Sequence, residues 1–568
     1  MYIERVPNRN SPPAILMRES FRDGKKVRKR TLGNLSSLPA DQVELIARVI
    51  RGDRLIAAED HFEIVASFHH GHVDAVLRAM KRLGFEQLIA STHSRERDLV
   101  LGMVAARILE PDSKLATTRW WHTTTLPAEL GVADADEDDL YDAMDWVLKR
   151  QPHIEKKLAA RHLTEGGLVL FDMTSSYFEG VTCPLAALGK SRDGKKGTLQ
   201  VNWGLLTDER GRPVAVSVFK GNTGDPKTLI PQVHKVKEDF GIKTMVIVGD
   251  RGMITQTQID EIKTIDGVDW IAALKPAGIK ELVESGNIQM ELFDKRNLFE
   301  ITHPNYPGER LIVCLNPELR KLRGHKRQSL IEATSRELEK VRSMVQRGRL
   351  KGKSADEIGV RVGKVINKYK MAKHIVLNIR DGFFDFHVDM KKVGAETALD
   401  GFYVIRTSLD KERISAEDAV RHYKKLTLIE QAYRLMKTVD LEVRPIRHHT
   451  EDRVRAHIFL CMLAYYVEWH MREAWRELLF CDEDQEAKKT RDAVAPAKRS
   501  EAALQKVHAK VRGDGSEVHS FQTLLARLSQ IVRNLCRVRS MGAPTFEVVT
   551  TPDPKQRRAY ELLERLEV

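Results

Sequence analysis

Along this chain the spacing of apolar residues changes several times, and each change marks a different kind of element. Over residues 1–35 two short runs, Ala14-Ile-Leu-Met-Arg-Glu-Ser-Phe21 and Lys26-Val-Arg-Lys-Arg-Thr-Leu32, flank Arg22-Asp-Gly-Lys25. Asp-Gly between such runs predicts a β-hairpin. From 40 to 165 the period becomes helical. Asp98–Glu110 is an apolar helix stopped by Pro111-Asp-Ser113, and Leu140–Leu148 is amphipathic. From 166 strand and helix patterns alternate, with strands predicted over 168–173, 199–206, 213–219, 244–249 and 269–274 and helices over 226–239 and 255–264. Three strands in a meander followed by two strand–helix alternations predict a mixed α/β sheet with helices on both faces. Residues 275–410 interrupt that pattern as a β/α insertion. It holds the strand-like Leu311-Ile-Val-Cys-Leu315, a basic helical stretch over 320–373, and strands near 374–380, 383–389 and 402–408. Helices are predicted over 416–437, 451–473 and 518–540, and 482–517 reads as a charged linker.

The predicted organisation is therefore a basic β-hairpin unit (1–35), a helical N-terminal module for DNA binding or dimerisation (40–165), and the first part of an α/β core (166–274). The insertion (275–410), the rest of the core (411–475), and a linker with C-terminal helices (476–568) follow.

Charge adds a partner to this picture. The 568 residues carry a formal net charge of +13, and the excess is regional. Residues 1–35 hold nine Lys/Arg against three acids, and residues 320–373 hold seventeen against five. Such concentration suits a surface that follows a phosphate backbone, although solvated helix faces produce basic runs too. Five cysteines, widely spaced and with no CxxC pair, argue against a zinc finger or a disulfide framework and fit a reducing cytoplasm. The N-terminus lacks an apolar signal core, and the longest apolar run, Ile458–Val467, is far shorter than the ~20 residues of a membrane helix. The expectation is a soluble cytoplasmic protein with no membrane partner.

Candidate chemistry sits where two apolar strands end. Leu168-Val-Leu-Phe171 runs into Asp172, and Met245-Val-Ile-Val-Gly249 runs into Asp250. One acid at a strand end is ordinarily a turn former or helix cap. Two at matched ends of one sheet are better placed to share a cation, because open α/β sheets build sites at that edge. A third acid, Glu430, lies on a predicted helix. Alone it would read as a solvated residue, but Tyr423, Glu430 and Lys437 are spaced by seven and share a helix face, and Arg434 joins it at i+4 from Glu430. On that face the carboxylate would complete a metal site while Arg434, Lys437 and Tyr423, with Arg251 beside Asp250, meet DNA phosphates. The bland alternative is an i,i+4 salt bridge on a wet helix.

Together these segments resemble the DDE transposases of bacterial insertion sequences, in the group with a Tyr–Arg–Glu–Lys signature. The matching pieces are Leu170-Phe-Asp-Met-Thr-Ser-Ser-Tyr-Phe-Glu-Gly180, Phe219-Lys-Gly-Asn-Thr-Gly-Asp225, Val248-Gly-Asp-Arg-Gly-Met253, Glu430-Gln-Ala-Tyr-Arg-Leu-Met-Lys437 and Arg444–His457. The resemblance spans about 166–475. It implies a ribonuclease H-like core, and it implies that Asp172, Asp250 and Glu430 are catalytic acids and metal ligands. It further implies Mg²⁺, with Mn²⁺ able to substitute, acting as a two-metal pair. The implied reaction is cleavage at the element's terminal inverted repeats and strand transfer into target DNA by an oligomer on DNA, with the insertion contacting end DNA. Leu426 stands where the signature has its arginine. A nuclease without joining activity and a non-catalytic DNA-binding descendant are the alternatives. Of the neighbouring acids, Glu179 and Asp225 are not assigned to the site, and Asp225 is predicted to cap the helix that follows it.

Overall fold

The computed structural model of the chain describes all residues except 10, 54–61, 181, 289–292, 294–296, 349–353, 485–490, 497, 539–543 and 568. It divides into two compact units, Met1–Phe68 with Val532–Thr550, and His69–Ile531 with Thr551–Val568.

The first unit opens with an antiparallel three-stranded sheet, β1 (Tyr2–Val6), β2 (Ala14–Asp23) and β3 (Lys26–Asn34). The predicted hairpin is its β2–β3 half, with Asp23 paired to Lys26 and Gly24 at φ 62° in the turn. A helix, Ala40–Ile50, follows. Here two expectations are corrected. The stretch 40–165 is not helical throughout, since β4 (Phe62–His69) forms a second sheet with the strands Val532–Val538 and Phe546–Val549. The helix predicted over 518–540 stops early, at Phe521–Leu528. Leu524, Leu525, Leu528, Ile531, Val532 and Leu535 keep a helical spacing past the true end. The β-branched residues beyond Ser529 instead find strand partners, and pairing overrides local period. Residues 54–61 of the expected helical module lie outside the described residues, as do 485–490 and 497 of the expected linker.

The second unit is built on a nine-stranded sheet. In it β5 (Leu168–Tyr177) is flanked by β7 (Leu199–Thr207) on one side and β9 (Met245–Val248) on the other. Beyond β7 lie β8 (Pro213–Lys220) and the two-residue β6 (Ala187–Leu188), and beyond β9 lies β10 (Val268–Ala273). The pairs β5–β7 and β7–β8 are antiparallel, while β5–β9 and β9–β10 are parallel. In sequence order the five main strands stand third, second, first, fourth, fifth, which is the ribonuclease H-like arrangement. Val169, Leu170 and Phe171 of β5 and all four residues of β9 are buried, as near-continuous apolar runs require when both faces are covered.

The helices Arg95–Leu109, Glu137–His162 and Glu451–Ala474 pack on one another, and the last also packs on β8. One continuous apolar core joins them to the sheet, so 69–163 shares its core with the strands rather than standing apart. The expected insertion does two things. Its strands β11 (Leu298–Ile301), β12 (Arg310–Leu315) and β15 (Phe402–Thr407) extend the main sheet past β10. Between β12 and β15, the helices Pro317–Gln346 and Ala355–Tyr369 and the hairpin β13 (Ile375–Arg380)–β14 (Phe383–Val388) enclose a separate small core around Leu338, Ile358, Val362 and Phe384. Part of the basic stretch, 349–353, lies outside the described residues. All five cysteines are unpaired. Among the described residues no helix is long and apolar enough to cross a membrane.

Candidate active site

Adjacent parallel strands deliver the first two acids, but not at matched ends as expected: Asp172 stands mid-strand, because β5 runs on to Tyr177 in its pairing with β7. In the β5–β9 register Leu168, Val169 and Leu170 face Val246, Ile247 and Val248. Asp172 lies two residues past this paired stretch on β5 and Asp250 two residues past it in the turn after β9, near enough for the charge of Asp250 to act on the Asp172 carboxyl. Asp250 lies in a turn just past β9, where its Oδ1 accepts the backbone N–H groups of Gly252 (2.7 Å) and Met253 (2.9 Å). The turn therefore fixes one oxygen and leaves the other without a protein partner among the described residues. A Cβ at Gly252 would lie 3.1 Å from that Oδ1, close enough that the carboxylate would have to shift slightly. Burial pushes the Asp172 carboxyl up to about 7, and the charge of Asp250 adds to the rise.

Glu430 arrives on the helix Leu426–Arg434, which lies along β5. Tyr433 clamps it there. Its hydroxyl donates to the backbone carbonyl of Asp172 and accepts the N–H of Leu205 (3.1 Å), and its ring meets Trp203 edge-on at 5.1 Å. Four residues on, Lys437 donates to Thr174 Oγ1 (3.0 Å). Four helical residues rise ~6 Å and two strand residues ~6.6 Å, so helix and strand run in step. Tyr423 closes the group. Burial raises its phenol to about 12, and the charges of Asp250, Asp172 and Glu430 push the same way against Arg251. Tyr423, Glu430, Asp172, Asp250 and Arg251 thus occupy one neighbourhood.

The helix expected over 416–437 is broken: Tyr423 lies in Ala416–Lys424, Glu430 in Leu426–Arg434 and Lys437 in the π-helical turn Leu435–Val439, where it is not free for phosphate. It is 7% exposed and paired with Asp193 at 2.5 Å, and Arg444 pairs with the same carboxylate. The other Asp193 oxygen accepts the N–H of Tyr177 (2.9 Å), where β5 ends. Arg434 and Arg251 are exposed and make no ion pair among the described residues. Leu426, at the signature's arginine position, is buried in the apolar core. Asp225 does not cap its helix with its side chain; it pairs with Arg192 at 2.5 Å, and Glu179 pairs with Arg447 at the surface.

Asp193, Arg192 and Tyr433 are absent from the sequence reading. Asp193 and Arg192 belong to a loop, Lys190-Ser-Arg-Asp-Gly-Lys-Lys196, whose four cations around one acid were the available signal. Its entry is possible only because Gly189 crosses the chain at Gly221: a Cβ on Gly189 would meet the Gly221 carbonyl at 2.0 Å. That crossing gives a physical role to the first glycine of Gly221-Asn-Thr-Gly-Asp225.

The donor set fits a hard divalent cation. Asp172, Asp250 and Glu430 offer oxygen ligands, and among the described residues none of the three has a Lys or Arg partner. Equally, among the described residues no three His, Cys, Asp or Glu side chains are drawn close enough to enclose an ion. The arrangement is one acid on β5 and one in the turn after β9, with a third acid nearby on a helix.

The family model described as "Transposase DDE domain" matches residues 165–467. A second, described as "IS1634 family transposase, N-terminal domain", matches residues 3–61. Among solved structures the chain is similar to a piggyBac transposase synaptic complex with hairpin DNA, with 8% identity and a TM-score of 0.33, over 80% of this chain and 77% of that one. No curated protein matches the chain.

Proposed function

The chain belongs to the DDE transposase family, and from that premise we propose that Asp172, Asp250 and Glu430 are its catalytic acids and metal ligands, with Mg²⁺ as the cation and Mn²⁺ able to replace it. The family membership makes the protein a metal-dependent enzyme of DNA transposition. The observation that supports the residue assignment is the delivery of Asp172 and Asp250 from the neighbouring parallel strands β5 and β9, with the Glu430 helix clamped to the Asp172 carbonyl.

Divalent metal bound at these acids supplies Lewis-acid activation of the attacking oxygen and stabilisation of the leaving oxygen. The remaining work belongs to the chain. The Gly252 and Met253 amides aim Asp250, and Tyr433 sets the distance between helix and strand. Arg434, Arg251 and Tyr423 meet phosphates flanking the scissile bond, and Arg434 takes over part of the charge that Leu426 lacks. Lys437 acts as a positioning residue through Asp193 rather than as a phosphate contact. The DNA partners are the terminal inverted repeats and a target duplex. Bringing two ends together calls for a homo-oligomer on DNA, in the cytoplasm at the nucleoid, with the N-terminal unit and the basic helices of the insertion supplying end contacts.

The test is a reaction of the purified protein with labelled element ends, Mg²⁺ and a supercoiled target plasmid, beside Asp250→Asn. Joined product from the wild type alone supports the assignment. Joining by Asp250→Asn removes that residue from the site, and cleavage without joining by the wild type favours a nuclease.

A further inference from the structure

A second site of unbalanced charge lies where the helix Arg95–Leu109 ends and the segment after the acid helix folds back. A cavity of about 420 Å³ there is lined by Arg107, Lys114, Tyr141, His448, Arg453 and His457, among others. Lys114 is 5% exposed and Arg107 8% exposed. Neither has an acidic partner among the described residues. Arg107 donates only to the backbone carbonyl of Asp112 (3.0 Å), and among the described residues the Lys114 ammonium has no hydrogen bond or ion pair at all. A buried ammonium left so is costly, and burial with the Arg107 charge pushes it down to about 7. His448 and His457 are driven the same way by burial and by these cations. Arg453 stands at the rim, over the Tyr141 ring at 4.5 Å and 3.9 Å from Asp145. The acids lining the cavity do not neutralise it: Asp112 and Glu442 are exposed, and Asp112 Oδ1 accepts the N–H of Ser113 (2.6 Å).

We propose that this cavity is a phosphate-binding site, with Lys114 and Arg107 as its buried ligands and Arg453 at its mouth. A phosphate oxyanion supplies the missing charge and accepts the unused donors of an ammonium and two guanidinium groups. The site is separate from the three acids but tied to them. Phe178, just past β5, bridges to Ile446, which follows cavity-lining Arg444 and Pro445. Phe178 lies six residues, roughly 20 Å, along the chain from Asp172, about six steps of a DNA strand at ~3.4 Å each. The phosphate is either a DNA phosphodiester or free phosphate. The DNA source rests on the transposase reading, and the free source does not.

The test uses the full-length protein with two probes. In the first, melting is followed in sodium phosphate against sodium chloride at matched ionic strength, for wild type, Lys114→Met, Arg107→Gln and Arg453→Gln. The expected result is a phosphate-specific rise in Tm that Lys114→Met and Arg107→Gln lose. Lys114→Met keeps chain length and removes a buried charge, so it is expected to fold, and the rim variant Arg453→Gln reports independently. In the second, affinity for an end duplex is measured against salt. A slope lower by about one in Lys114→Met assigns the cavity to a DNA phosphate. An unchanged slope with the Tm effect intact assigns it to free phosphate. No phosphate-specific rise in the wild type, or an equal rise in all variants, together with an unchanged slope overturns the site. Failure of the transposase reading would appear separately, as absent cleavage by a wild type that still responds to phosphate.

Discussion

The acid edge of the sheet and the cavity beside Pro111 differ in sign and agree in kind. At the edge, Asp172, Asp250 and Glu430 make no ion pair among the described residues, in a protein of 93 Lys and Arg. In the cavity, Arg107 and Lys114 are buried and make no ion pair with an acid among the described residues. Elsewhere this chain balances the charges it buries: Arg406 holds Glu309 through two 2.7 Å bonds, and Arg327 pairs with Asp400. Burying an unpaired charge costs several kcal/mol, a penalty that falls on Lys114 and Arg107 but not on the acids, since Glu430 is exposed and Asp172 and Asp250 are half-buried.

Asp172→Asn, Asp250→Asn and Glu430→Gln are each expected to lower end cleavage by on the order of 10³-fold or more, the scale of losing a group that stabilises transition-state charge. Duplex affinity in a gel-shift assay should stay near wild type. Chelation by EDTA should abolish cleavage of the wild type, and Mg²⁺ or Mn²⁺ should restore it. If one acid variant cleaves at full rate, that acid does not belong with the other two.

Asp193→Ala asks whether a balanced neighbour behaves differently. It leaves Lys437, 7% exposed, and Arg444 facing each other without their carboxylate. The expected loss is about 3 kcal/mol of stability, read as a lower urea midpoint, because removing one partner strands the others. Loss of cleavage without loss of stability would instead make Lys437 a phosphate contact. Tyr433→Phe should cost roughly 1–3 kcal/mol, since the N–H of Leu205 and the carbonyl of Asp172 both lose a partner. Gly252→Ala should leave stability nearly unchanged and slow cleavage about ten-fold, by pressing a Cβ on the Asp250 carboxylate.

These residues also show what could be read from sequence. Asp172 and Asp250 stood out because each follows a short apolar run buried on both faces. The helical period over 416–437 was only partly legible: the structure divides it, with Tyr423 in Ala416–Lys424, Glu430 in Leu426–Arg434 and Lys437 in the π-helical turn Leu435–Val439. The fate of Lys437 was not, because its partner Asp193 comes from a polar loop whose path depends on two glycines crossing, a contact with no periodic signature. Tyr433 was hidden for a related reason: a tyrosine among apolar residues reads as core, and only the strand beneath it shows where its hydroxyl goes. Likewise the strand Val532–Val538 continues a helical spacing and is decided by its partners. Lys114 and Arg107 escaped notice because sequence shows charge but not the absence of an opposite charge nearby.

The smallest expected effect gives the finest division between ligand-facing and merely exposed charge. Arg434 is exposed, follows Glu430 by one helical turn and has no ion pair among the described residues. If it only solvates the helix, Arg434→Gln changes neither stability nor DNA affinity. If it meets a phosphate, affinity falls uniformly across duplex sequences and the slope of log affinity against log salt drops by about one, with the urea midpoint unmoved. Paired with Lys114→Met, the experiment becomes a double-variant cycle. Two independent phosphate contacts lower the slope by about two, whereas a shared contact lowers it by about one. Additive slopes would place the phosphates of one DNA strand both beside the acid edge and in the cavity, joining the two unbalanced regions through a single ligand.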